Sequence, residues 1–99
     1  MSEDHKVARD SAKEAGLDLA EFIRLGDQVI GYANHSSQEN RKPKGVNLAI
    51  LYGVARYGAF LARSLTDKER EAYVAEMSEL FGEMLREHFA DSTLAPAKN

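Results

Sequence analysis

An arginine stands in the middle of the most apolar stretch of this chain, and it is the residue whose setting most demands an explanation. Residues 46–62 read VNLAILYGVARYGAFLA, with Arg56 their single charge. A guanidinium in apolar surroundings must be paired, because an isolated buried charge is too costly. Asp27 and Glu76 are the carboxylates that a folded-back chain would bring to it. Arg56 is therefore expected to bridge at least one of them, as a pair that specifies the fold. The alternative is a ligand-binding arginine that, with Tyr52 and Tyr57, grips a small carboxylate or phosphate between helices.

Other reactive types are present without the spacing that chemistry needs. His35 adjoins Ser36 and Ser37, but neighbours in a polar segment do not aim at one another, so nucleophilic catalysis has no basis. His5, His35 and His88 are far apart, and Glu83 to His88 is a five-residue step, which turns the two away from each other on a helix. Metal ligation calls for spacings of three or four, so no metal site is expected. Glu79, Glu83 and Glu87 form an acidic row whose usual meaning is a solvated face. Arg41, Lys42 and Lys44 precede a helix start and could draw an anion, but no glycine-rich phosphate loop accompanies them. Tyr32, Tyr52, Tyr57 and Tyr73 read as core and interface residues. No enzyme activity and no cofactor is expected.

The whole chain narrows the setting. It has 99 residues and a net charge of −3, with no cysteine. That length makes one small domain, marginal by itself. The lack of cysteine removes disulfides and thiolate chemistry and fits a reducing, cytoplasmic setting. The acidic balance argues against nucleic acid as a partner. The first sixteen residues mix acids and bases without an apolar run, unlike a secretory signal or organelle presequence. Charge is segregated: residues 35–64 carry five bases against Glu39, whereas residues 66–91 carry eight acids against three bases. The two segments should attract each other, or one of them should face a charged partner.

Three apolar series recur at steps of three and four, the helical period, and nothing alternates as a strand would. Leu19, Phe22, Ile23, Gly26, Val29, Ile30 and Ala33 form the first. Val46, Ile50, Gly53, Tyr57 and Phe60 form the second, and Tyr73, Met77, Leu80 and Met84 the third. The expected fold is all-α, an antiparallel three-helix bundle over residues 17–91 with helices at about 17–34, 45–64 and 67–90. Residues 1–16 are expected as a polar arm, in which residues 3–15 could form a short helix whose thin stripe of Val7, Ala8, Ala12 and Ala15 should not dock firmly, and residues 92–99 as a frayed tail. Pro43 and Gly45 place a connection at 34–45. Thr66 and Glu69 form a capping box, so the third helix starts at Asp67 and the last two helices should close into a tight hairpin with Gly53 opposite Ser78–Phe81.

The middle helix is then central and buried, yet apolar around its whole girth. Seventeen residues at ~1.5 Å each fall short of a ~30 Å hydrocarbon core, and Arg56 would lie near its midplane, so a membrane span is rejected. Two neighbouring helices cannot cover every side. Leu48, Leu51, Tyr52, Ala55, Ala59 and Ala62 remain, and a second copy of the chain is the expected cover, in a homodimer that also binds another protein. The N-terminal arm or the tail folding over this face is the alternative.

The same residues carry a family resemblance. LAILYGVARYGAF resembles the centre of a small bacterial helical family, a domain of unknown function, whose members read S-L-x-Y-x-A-A-R-[YF]-N-A-[FW]. FIRLGD at 22–27 resembles the family's F-I-x-L-A-N, and LFGEMLREHFAD resembles its closing helix. The likeness covers Leu19 to Asp91, with Leu51, Tyr52, Ala55, Arg56 and Tyr57 its most specific part. Gly58 stands where the family has asparagine, which removes any polar role of that amide. The resemblance implies a cytosolic helical fold and carries over no activity.

Overall fold

The computed structural model describes residues 5–91; the expected tail at 92–99 lies outside them. Four helices account for nearly all of the described chain: α1 (Lys6–Glu14), α2 (Leu19–Asn40), α3 (Pro43–Leu61) and α4 (Asp67–Ala90). The all-α reading holds, but the bundle does not. Helix α2 touches α1 and α3, and α1 also touches α4. No Cα of α3 comes within 8 Å of one in α4, nor of α2 with α4. Packed helices lie 8–10 Å apart, so α3 and α4 are not a packed pair. The chain is an open frame that meets at its corners.

Local chemistry makes each corner. The α1–α2 corner closes with a Schellman motif: Leu17 N–H donates to the Ala12 carbonyl at 2.9 Å and Gly16 N–H to the Lys13 carbonyl at 3.0 Å. This requires a left-handed residue, and Gly16 supplies it at φ 88° without a Cβ penalty. Asp18 then caps α2. Its carboxylate accepts from the Glu21 amide while Glu21 accepts from the Asp18 amide, the same reciprocal box as at Thr66.

The α2–α3 corner corrects the expected connection at 34–45. Helix α2 runs on through His35–Asn40, and only Arg41 and Lys42 lie between the two helices. Asn40 Nδ2 donates to the Ser36 carbonyl at 2.8 Å, and Arg41 takes a left-handed φ of 55° with its N–H on the Ser37 carbonyl. Pro43 does not break a helix here because it begins one, at a position whose N–H would have no partner.

The α3–α4 corner spans Ala62–Thr66. The expected capping box is present: Thr66 Oγ1 accepts from the Glu69 amide at 3.2 Å and Glu69 accepts from the Thr66 amide at 2.9 Å. The expected tight hairpin is not. Arg70 donates to the Arg63 carbonyl at 2.6 Å, Arg63 donates to the Phe60 carbonyl at 2.8 Å, and its guanidinium lies 4.1 Å over the Phe60 ring. The corner stands open rather than folded back.

The arm also departs from expectation. Residues 6–14 form a docked helix, and Ala8 (6% exposed) and Ala12 (7%) are two of the three buried apolar residues among those described. Their stripe is thin, but alanine lets two helices approach closely. Val7 N–H donates to Glu87 Oε2 at 2.9 Å, His5 pairs with Asp91 at 2.7 Å, and the His5 and His88 rings lie 4.5 Å apart. These contacts tie α1 to the end of α4.

Candidate interaction surface

The third buried apolar residue is Ala62. Three alanines are no hydrophobic core for a 99-residue chain. Eighteen large apolar residues instead stand at least 37% exposed, spread over α2, α3 and α4. The total surface is 8615 Å². A folded monomer of this mass exposes roughly 5,600 Å². Setting aside roughly 1,900 Å², the full extended-chain surface of twelve residues, to cover both termini, leaves an excess above ~1,000 Å². The radius of gyration, 15.2 Å, is likewise larger than the ~13 Å of a compact domain of this length.

Helical geometry shows which faces are unpartnered. At about 100° per residue, Val46, Ala49, Ile50 and Gly53 share one side of α3. They line a groove of about 500 Å³ with Tyr32, Ser36 and Asn40 of α2. Leu48, Leu51, Tyr52, Ala55 and Ala59 occupy an arc of roughly 100° on the opposite side of α3. All five are exposed; Leu48 reaches 66%, Leu51 47% and Tyr52 71%. The expected interface stripe is thus a continuous bare face, with one correction. Ala62, the sixth member, is only 9% exposed and belongs to the interior of the α3–α4 corner.

Helix α3 is therefore not buried, and the expected role of Arg56 changes with it. Arg56 is exposed, and it forms no ion pair with Asp27 or Glu76, both exposed themselves. The hairpin that would have delivered Glu76 is open, and a solvated guanidinium has no need of a carboxylate. Tyr52 and Tyr57 are exposed beside it, and neither lines the groove between α2 and α3. Gly53, expected against Ser78–Phe81, has open space beyond its α-carbon, whereas a Cβ added at Gly58 would lie 3.4 Å from the Tyr73 hydroxyl near the corner. The absent asparagine side chain at 58 thus leaves room for Tyr73.

Helix α4 carries a second bare stripe. Val74, Met77, Phe81 and Leu85 fall within an arc of roughly 80° and are exposed, with Phe89 beside them at 75%. The acidic row is divided: Glu87 receives the Val7 amide, and its Oε1 is buried without a partner. Among the described residues no group of three His, Cys, Asp or Glu could hold a metal ion. Arg41, Lys42 and Lys44 are exposed at the α2–α3 corner, and His35 approaches Glu39 at 3.4 Å along α2. One carboxylate is perturbed: the Lys6 hydrogen bond at 2.7 Å holds Asp10 below its ordinary value. What the frame presents is apolar area.

The stripe on α3 takes Leu51, Tyr52 and Ala55 from the L-Y-x-x-A-R-Y segment. A family described as "Protein of unknown function (DUF3144)" matches residues 22–93. The chain belongs to this family. The match begins within α2 and takes in α3 and α4, so α1 precedes it. No curated protein and no solved structure matches the chain. No helix among the described residues is long and apolar enough to cross a membrane.

Proposed function

We propose that this DUF3144 chain is a non-enzymatic interaction module that works as a helical homodimer and binds another protein. The observation that carries the reading is the surplus of exposed surface. A standard protein interface covers roughly 800 Å² on each partner, and obligate homodimers cover more. The excess above ~1,000 Å² falls in that range. The bare stripe of α3 is apolar and centred on small residues, Ala55 and Ala59, between larger ones, as a close helix–helix contact needs. A two-fold arrangement covers the stripes of both copies, so the surface closes without generating a fibre.

The concrete form of the second activity is an anti-activator, a small helical protein that holds a transcription regulator in an inactive assembly. Size and helical architecture support that version by analogy. The metabolite-binding alternative has less behind it, since Arg56, Tyr52 and Tyr57 lie open.

The double variant Leu51→Glu, Ala55→Glu tests the reading. It places two carboxylates in the stripe of each subunit, where burial would be prohibitive. Loss of the dimer, together with loss of protein capture from a native bacterial extract, is the expected result. A variant that remains dimeric and retains its captured proteins would show that the stripe is not the working surface.

A further inference from the structure

Within one subunit, α3 and α4 are complementary yet apart. Helix α3 offers the small residues Ala55 and Ala59 on its bare stripe. Helix α4 offers the large Met77 and Phe81 along its bare stripe. Their charges are opposed as well: the segment holding α3 is basic, and α4 is acidic. We infer that the α3–α4 pairing is made between chains. The partner copy's α4 lies along α3, this chain's α4 lies along the partner copy's α3, and the two frames interlock. The inference rests on the homodimer reading above and states how its two halves meet.

The α3–α4 corner gives the reason. Five residues separate Leu61 from Asp67, and the connection is braced by Arg63 and Arg70 and ended by the Thr66 capping box. Tyr73 fills the space beside Gly58, so the helices touch at the corner and diverge beyond it. In this corner the two helices stand apart rather than paired, and a short hinge that holds matched faces apart favours exchange between identical chains. Exchange covers both bare stripes at once. A flat contact between two α3 faces would leave Val74, Met77, Phe81, Leu85 and Phe89 in water. It would also leave the acidic face of α4 without the basic segment to which the sequence matches it.

Lengthening the hinge tests the exchange. Six Gly/Ser residues inserted between Ser64 and Leu65 keep the capping box and give α4 enough slack to fold onto its own α3. The expected result is a helical monomer, or a dimer whose Kd is weakened more than tenfold. A dimer with Kd within threefold of the unmodified chain overturns the exchange. Should the insertion prevent folding, the unmodified protein supplies the test. Labelled (13C) and unlabelled chains are refolded together and interchain NOEs recorded. Methyl contacts from Leu48 or Leu51 of one chain to Val74, Met77 or Leu85 of the other are expected. Interchain contacts confined to α3 against α3 would overturn the exchange and leave the homodimer standing. An unmodified chain that is monomeric at these concentrations would remove both.

Discussion

Replacing Leu51 with alanine isolates the contribution of one side chain on the α3 stripe. Leu51 is 47% exposed in the single subunit, so about half of its surface is still available for burial against a partner. Burying a whole leucine side chain contributes roughly 1.5–3 kcal/mol, so the unused half is worth about 1 kcal/mol per subunit. Alanine retains the Cβ but leaves a hole, and the cavity offsets what that carbon preserves. Two-fold symmetry counts the change twice. The dimer should lose about 2 kcal/mol, which raises Kd by roughly 30-fold. The assay is sedimentation velocity over a dilution series, with far-ultraviolet circular dichroism on the same samples. Lys68→Ala, on the exposed first turn of α4, is the control and should leave Kd nearly unchanged. A Leu51→Ala protein whose Kd moves by less than threefold would show that the stripe is not buried on association.

Other expectations follow from the corners and from α1. Thr66→Ala removes one of the two side chains in the α4 capping box and should cost about 1 kcal/mol, read as a lower urea midpoint at fixed protein concentration; Asp18→Ala should cost a similar amount at α2. Ala12→Leu overfills the contact under α1 and should cost about 1–3 kcal/mol of docking, seen as faster amide exchange over residues 6–14 with α3 unaffected. Asp10 should titrate below 3.8 by NMR, because the Lys6 ammonium favours its charged form, and Lys6→Gln should raise that midpoint. By linkage, any stabilisation from the Lys6–Asp10 pair is present above 3.8 and is lost as pH falls through the lowered value. Finally, a subunit whose buried apolar residues are three alanines should not persist folded alone, so Tm should rise with protein concentration.

Helical content was legible in the sequence because it depends on local signals. The three-and-four spacing and the Thr66 box act within a turn or two, and the box stands where it was read; Pro43 was read as part of a connection and instead begins α3. The Asp18–Glu21 box has the same form and was equally available, and it fixes the start of α2. Ser36 and Ser37 misled, since they suggest a loop by composition while their helix is sustained by the Asn40 side chain and the Arg41 amide. Tertiary arrangement was less legible. The apolar faces of α3 and α4 are matched in size and charge, and periodicity alone cannot say whether such faces meet within a chain or between two. The α3–α4 corner carries the Arg70 bond to the Arg63 carbonyl, and a carbonyl accepting an arginine seven residues away leaves no pattern in composition. The same gap explains Arg56. Its pairing was inferred from burial, and burial depended on the hairpin. The stripe Leu48, Leu51, Tyr52, Ala55 and Ala59 was legible throughout, because it follows from the girth of one helix and not from what packs on it.

Molecular mass in solution tests the central claim most directly. Size-exclusion chromatography with multi-angle light scattering, run from about 1 to 100 μM, should give twice the 11.0 kDa chain mass over the upper part of that range. A mass of 11.0 kDa throughout, with full helicity and a cooperative melt that ignores concentration, would mean that one chain stands with its apolar faces in water, contrary to the account.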